Sequence, residues 1–256
     1  MNLKEIQPED LIQPEWLDTY KKNIEVIWKQ IIKLNSNRYC VKRITEFPFD
    51  LFEPIRTPFW LVVLDNMIES SIMIIYKILI DSGSDTLTLR SFKNEIIQHF
   101  EEEFKPQFKI GLKAVKFGKI KSELEIKIRD LRNNYLAHFK REFNAQIPPD
   151  SLKKLTIFLP DIYDLTEKIN TYFQLLCFGY GYAETYFAYS SNVIPPLGAD
   201  PRSDIEIILD TIAEKSDILN MPEKQPWLWE IRKKSMSPKG IDILNHYRYK
   251  FGLNKV

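Results

Sequence analysis

The most constraining feature of this sequence is a long apolar run at residues 59–80, FWLVVLDNMIESSIMIIYKILI. As one helix it is long enough to cross a bilayer. Three charged residues and an asparagine stand inside it: Asp65, Glu69, Lys77 and Asn66. Because a charged group near the bilayer centre costs about 2.5–3.5 kcal/mol, the run predicts a central core helix and no membrane partner.

Helical periodicity recurs along the rest of the chain. After Pro14, apolar residues at 15–37 recur in steps of three and four, which is typical of one buried helix face. Further helices are predicted at 89–104, at 161–190, at 203–217 and in one or two segments beyond. Residues 105–121 have no such pattern and are predicted to be irregular. With 8 glycines and no alternating strand pattern, the chain is predicted to be all-α.

The proline-rich segment at 195–201 is predicted to be a linker. It divides the chain into a helical bundle at 1–195 and a C-terminal helical extension, at 196–256, packed on it. The polar, acidic N-terminus lacks an apolar signal-peptide run. Cys40 and Cys177 are too few for a disulfide framework. Together these features favour a cytoplasmic protein.

Metal, nucleotide and acyl-transfer motifs are missing from the sequence. The three histidines, His99, His138 and His246, are scattered, and none has a His or Cys within helical reach. There is no HExxH, P-loop, GxGxxG or GxSxG pattern. We therefore expect no metal and no cofactor.

One helix carries the strongest candidate site. Ser122 and Glu125 have the spacing of a capping box at the start of a helix. Near the end of this helix stands LRNNYLAHFKRE, residues 131–142, which resembles the Arg-x(4–6)-His signature of HEPN domains, in particular the AbiU2-like branch. Asn134 stands where that branch commonly has lysine. The helix pattern of DNMIESSIMIIYKILID and TLTLRSFKNEI resembles the same family, so the likeness covers roughly residues 15–195.

The resemblance implies an antiparallel helical bundle that forms a homodimer. It also implies metal-independent RNA cleavage leaving a 2′,3′-cyclic phosphate, in a toxin or abortive-infection system, with an antitoxin protein as a possible partner. In this sequence His138 matches the family's catalytic histidine and Arg132 its arginine. Asn133 matches the polar residue that orients the site, and Tyr135 is predicted to support it.

The spacing of the motif favours a site shared between protomers. In a regular helix, six residues rise about 9 Å and rotate about 240°, so Arg132 and His138 do not share a face. A two-fold partner along this helix would bring both pairs around one cleft. Imidazole can accept the 2′-hydroxyl proton near neutral pH, and a guanidinium can bind two phosphate oxygens.

The motif also has a structural interpretation. His138 lies on the same apolar stripe as Leu131, so it can be a half-buried core histidine, and Arg132 can pair with a glutamate from another helix. Two other functions therefore remain open. One is a non-catalytic module that binds RNA, a nucleotide or a protein partner, and the other is a purely structural helical dimer.

Two further sets of residues are predicted to assist the candidate site. Residues 104–121 contain six lysines and no acidic residue, with interleaved phenylalanines. Lysines neutralise phosphates and aromatic rings stack on bases, so five of them are predicted to bind RNA: Lys105, Lys109, Lys113, Lys116 and Lys119. The phenylalanines can equally dock into the core. Asp65 or Glu69 is predicted to support the site by pairing with Arg132 or Arg129.

Overall fold

The structure, a computed structural model, describes residues 3–46, 57–83, 85–133, 157–179, 204–236 and 238–256. Throughout these ranges the regular elements are helical, and the β-type pairing is a single isolated bridge between Ile12 and Phe100. The prediction of an all-α chain is therefore confirmed.

The helices are named in chain order. They are α1 (Pro8–Leu11), α2 (Leu17–Glu46), α3 (Thr57–Ile75), α4 (Leu89–His99), α5 (Lys105–Ala114), α6 (Ser122–Leu131), α7 (Leu159–Leu176), α8 (Asp204–Glu214), α9 (Asp217–Lys224), α10 (Pro226–Ser235) and α11 (Pro238–Lys250). Short 3-10 turns lie at Leu3–Glu5 and Pro14–Trp16, and α3 continues as a π-helical segment at Tyr76–Ile80.

The chain forms two compact units. The first comprises Met1–Arg38 with Glu69–Ala188, and the second comprises Tyr39–Ile68 with Tyr189–Val256. Helices α2 and α3 therefore each contribute residues to both. In the second unit the end of α2 pairs with the C-terminal helices: Arg43 forms an ion pair with Glu206 at 3.1 Å. The predicted bundle at 1–195 and extension at 196–256 stay a prediction.

The first unit is built around the predicted apolar stripe of α2. All six of its residues are buried: Trp16, Tyr20, Ile24, Ile27, Ile31 and Leu34. The ring of Tyr20 stacks on Phe92 and Phe178. Its hydroxyl donates to the Leu176 carbonyl at 2.9 Å and accepts from the Phe178 amide at 3.0 Å. One side chain thus satisfies the end of α7 while filling the core.

The second half of the apolar run at α3 is buried as a core helix. By length and hydropathy Pro58–Ile80 would suffice to cross a membrane, and a third of its most apolar window is buried. Burial is concentrated from Ser71 to Ile80, in the first unit, whereas Phe59 and Val62 in the second unit are more than half exposed.

Two local predictions were wrong. Residues 105–114 form α5, because Pro106 stands in the first turn, where a missing backbone N–H removes no helical hydrogen bond. The predicted capping box at Ser122 is not formed, because Lys121 is the N-cap residue and Ser122 is already helical. A capping box does occur at the start of α4, where Thr88 and Ser91 bond reciprocally.

A buried arginine holds the C-terminal helices of the second unit together. The Arg248 side chain is 0% exposed. It donates to the carbonyl oxygens of Leu219 and Asn254 and forms a two-point pair with the Glu223 carboxylate. These bonds connect α11 to α9 and to the segment after α11.

Candidate functional site

The candidate site begins where α6 ends. Helix α6 buries Leu124 and Ile128 and exposes Ile126. At Arg132 and Asn133 the backbone changes to wider π-type turns. Such turns inside helices occur frequently at functional sites.

The Arg132 guanidinium lies over an aromatic ring. Its central carbon is 5.0 Å from the centre of the Tyr76 ring, which is within the range of a cation–π interaction. Tyr76 opens the π-helical segment after α3, where the Asp81 amide donates to the Tyr76 carbonyl at 2.9 Å. Two π-type segments therefore meet at this contact, which fixes the plane of the guanidinium.

Asn133 orients the guanidinium from the other side. Its side-chain oxygen accepts a hydrogen bond from Arg132 Nη1 at 2.8 Å. Arg132 Nε is buried and has no hydrogen-bond partner among the described residues. The described residues thus orient the guanidinium of Arg132 but do not accept hydrogen bonds from its remaining N–H groups.

Among the described residues, neither of the two predicted carboxylate partners forms an ion pair with Arg132. Glu69 lies half-buried in the first unit and forms no ion pair with Arg132 or Arg129 among the residues described. Arg129 instead pairs with Glu125, one turn earlier on α6, at 3.0 Å. Asp65 is exposed and belongs to the second unit. Supporting roles for Glu69 and Asp65 therefore stay predictions.

The histidines fall into different environments. His138, together with Tyr135, lies outside the described residues. The His99 ring stacks on Trp16 at 5.0 Å, and its Nδ1 is 3.3 Å from the side-chain oxygen of Gln13. His99 is thus a packed structural histidine, whereas His246 is exposed in the second unit.

The five predicted RNA-binding lysines divide into two groups. Lys105 forms an ion pair with Glu102 at 2.6 Å and is only 16% exposed. The other four lie exposed on α5 and the turn after it: Lys109, Lys113, Lys116 and Lys119. Of the interleaved rings, Phe108 is buried and Phe117 packs on Tyr172 at 4.7 Å. The docking interpretation of these two rings is therefore favoured over base stacking.

Tyr76 is the residue of this site that sequence reasoning missed. It stands in a run of aliphatic residues, so its position predicted only a core residue. A tyrosine in an otherwise aliphatic segment was the available signal, because its ring faces carry the partial negative charge that attracts a cation.

The second unit contains a cavity of about 490 Å³, and its charged walls are paired among themselves. Arg43 pairs with Glu206, and Lys250 pairs with Asp210 at 2.5 Å. Burial, and then the negative charge of Asp210, raise the pKa of Tyr247 to about 12. Across the described ranges, no three His, Cys, Asp or Glu side chains are grouped to hold a metal ion.

Comparison with known proteins places these observations in a family. The model of the HEPN_AbiU2 family, described as AbiU2, matches residues 27–193, well over half of the chain. The matched range contains α3 from its start, the Arg132–Tyr76 contact and the whole Arg-to-His motif. No curated protein and no solved structure matches the chain.

Proposed function

Because the chain belongs to the AbiU2 family of HEPN domains, we propose that it is a metal-independent endoribonuclease of the toxin or abortive-infection type. The observation that carries the proposal is the state of Arg132. It is fixed by Tyr76 and Asn133, and no carboxylate neutralises it among the residues described. Arg132 is half-buried, and a purely structural arginine in such a position would be expected to pair with a carboxylate, as Arg248 does.

We infer that Arg132 binds the scissile phosphate. Its fork can donate to two non-bridging oxygens of one phosphodiester. Because negative charge on these oxygens increases as the phosphorane forms, the bonds strengthen in the transition state and lower the barrier. Tyr76 and Asn133 keep the fork oriented before substrate binds, which reduces the cost of ordering it.

His138 would supply the proton transfers. It accepts the proton of the 2′-hydroxyl as that oxygen forms a bond to phosphorus, and the bond from phosphorus to the 5′ oxygen breaks. A second imidazole, from the partner protomer, donates a proton to the departing oxygen. The products are a 2′,3′-cyclic phosphate and a free 5′-hydroxyl. RNA provides its own nucleophile, so this route requires no metal-bound water.

The first experiment compares variants on a mixed RNA substrate, with and without EDTA. We expect cleavage by the parent in both conditions, with 2′,3′-cyclic phosphate ends. His138→Ala should lower the rate by about 10²–10⁴, and Arg132→Lys should restore little of the loss in Arg132→Ala, since lysine lacks the fork. Arg129→Ala and His246→Ala are matched controls that should cleave like the parent.

The shared site has its own test. Co-expressed Arg132→Ala and His138→Ala chains should form mixed dimers that keep one guanidinium and one imidazole in the shared cleft. Such dimers should cleave RNA faster than either variant alone but more slowly than the parent, because one of the two proton transfers is unassisted. If the parent cuts no RNA, or if His138→Ala cuts at the parental rate, the nuclease proposal is wrong. Binding of RNA that is unaffected by His138→Ala, without cleavage by the parent, would identify a non-catalytic RNA-binding module instead.

A further inference from the structure

A cluster of four basic residues joins α4 to the turn between α5 and α6. We call it the α4–turn patch, and its members are Arg90, Lys93, Lys116 and Lys119. Arg90 Nη2 donates to the carbonyl of Gly118 at 3.4 Å, so the guanidinium lies against the turn that carries both lysines. Only the two lysines of the turn were predicted from sequence. The two residues of α4 join them through the fold.

The turn that presents these lysines is held in an unusual backbone conformation. Lys116 has a φ of +51°, a left-handed value that is strained for a non-glycine residue. The Tyr172 hydroxyl lies 3.1 Å from the carbonyl of Lys116 and 3.3 Å from that of Lys119. Tyr172 is buried in α7, and Phe117 packs on its ring. The turn is thus fastened to the core at both ends.

The patch is not neutralised by its surroundings. Among the described residues no carboxylate forms an ion pair with any of its four members. Burial, and next the positive charge of Arg90, lower the pKa of Lys93. Nearby lysines differ: Lys105 pairs with Glu102, and Lys121 lines a small crevice with Asp161 and Asp164.

We infer that the α4–turn patch binds the sugar–phosphate backbone of single-stranded RNA, the substrate class of the proposed function on which this assignment rests. The partner is a polyanion, because several cations held in fixed positions without a described carboxylate partner gain the most binding free energy from a ligand with several phosphates. Contact is through phosphate, since the rings of Phe108 and Phe117 are occupied inside the protein. Binding at the patch should therefore depend on salt and little on base sequence.

Equilibrium binding to a short labelled RNA tests the patch, with His138→Ala in every chain to prevent cleavage. The double variant Arg90→Gln/Lys116→Gln should bind more weakly. The slope of log affinity against log salt should fall by about 1.4, that is about 0.7 for each lost phosphate contact on a single strand. The matched control is Lys22→Gln/Lys33→Gln, which removes the same charge from exposed positions of α2 and should keep the parental slope.

Further variants separate charge from conformation. Lys116→Gly and Lys116→Gln should lose RNA affinity equally, while Lys116→Gly should melt at the higher temperature, because glycine adopts the left-handed conformation without strain. Tyr172→Phe removes the hydroxyl that holds the turn but no charge. It should weaken RNA binding several-fold with an unchanged salt slope.

The outcomes distinguish this inference from the nuclease proposal. If the Arg90→Gln/Lys116→Gln chain keeps the parental RNA affinity and salt slope, the inference about the patch is wrong. It is also wrong if the Lys22→Gln/Lys33→Gln control loses as much affinity and slope. Both conclusions hold whether or not the parent cleaves RNA. Absence of any RNA binding would overturn it as well. A patch-dependent slope in a protein that never cleaves RNA would support the patch and reject the nuclease.

Discussion

Two arginines, one in each unit, are bonded in different ways: Arg248 is fully buried and Arg132 is half-buried. In the second unit, Arg248 has a carboxylate and two carbonyl oxygens as partners. In the first unit, Arg132 has a ring, one neighbouring amide oxygen and a buried Nε that lacks a partner among the residues described. A saturated guanidinium stabilises the fold, whereas an oriented and unsaturated one is available to a ligand. The following variants test this contrast.

The largest effect on stability is expected at Arg248. Arg248→Ala leaves the carbonyls of Leu219 and Asn254 without donors and the Glu223 carboxylate without its cation. Because the Glu223 side chain is 50% exposed, its charge can be hydrated, and the main loss comes from the carbonyls left without donors, at about 1–3 kcal/mol for each buried acceptor. Amide hydrogen exchange should therefore accelerate across α9 and α11, while Arg132→Ala should leave exchange in the second unit unchanged.

Lys234→Ala is the matched control for Arg248→Ala, since it removes a cation from an exposed position of the second unit. Its amides should exchange like those of the parent. Equal protection in Arg248→Ala would show that the buried pair does not hold the C-terminal helices together.

A smaller effect is expected at Tyr76, and it concerns cleavage. Tyr76→Leu removes the ring under Arg132, and a partly desolvated cation–π contact contributes about 1–2 kcal/mol. Cleavage by this variant should fall by about tenfold, whereas Tyr76→Phe should stay close to the parent because the ring remains. Initial cleavage rates of both variants are measured on one RNA, and their melting temperatures show whether a lower rate comes from a loss of stability. An equal loss in Tyr76→Phe would assign the effect to the hydroxyl and not to the ring.

A further effect concerns pH and the second unit. Burial and Asp210 raise the pKa of Tyr247 from its ordinary 10 to about 12. A raised pKa favours the neutral tyrosine in the folded state, so its stabilisation is complete below pH 10 and is lost as pH rises from 10 to 12. Over this window the parent should lose more stability than Tyr247→Phe. Denaturant melts at several pH values measure this, and parallel curves would contradict it.

The environment of Tyr247 combines several charges. Arg43 opposes the rise in its pKa, while Glu206 adds to it. Glu206→Gln should therefore lower the pKa of Tyr247, so that the alkaline loss of stability still begins near pH 10 but ends at a lower pH and is smaller. The Glu206→Gln variant thus tests the direction in which a nearby charge moves the pKa of Tyr247, independently of the comparison between the parent and Tyr247→Phe.

Much of the architecture could be predicted because helix periodicity is a local property. The stripe from Trp16 to Leu34 on α2, the apolar second half of α3 and the all-α class follow from residue spacing. The motif at Arg132 and Asn133 could likewise be found from neighbouring residues. The predicted capping box at Ser122 was wrong, since Ser122 lies one position inside the helix and the N-cap residue is Lys121.

The sequence by itself determined that this chain is helical, which helix faces are apolar, and which family its motif belongs to. The tertiary structure decided which side chains meet: Tyr76 under Arg132, Arg90 against Gly118, Tyr172 beneath the lysine turn, and Glu223 on Arg248. Helical spacing depends on residues a few positions apart. The partner of a cation instead depends on residues tens of positions away in the chain, which only packing brings within bonding distance.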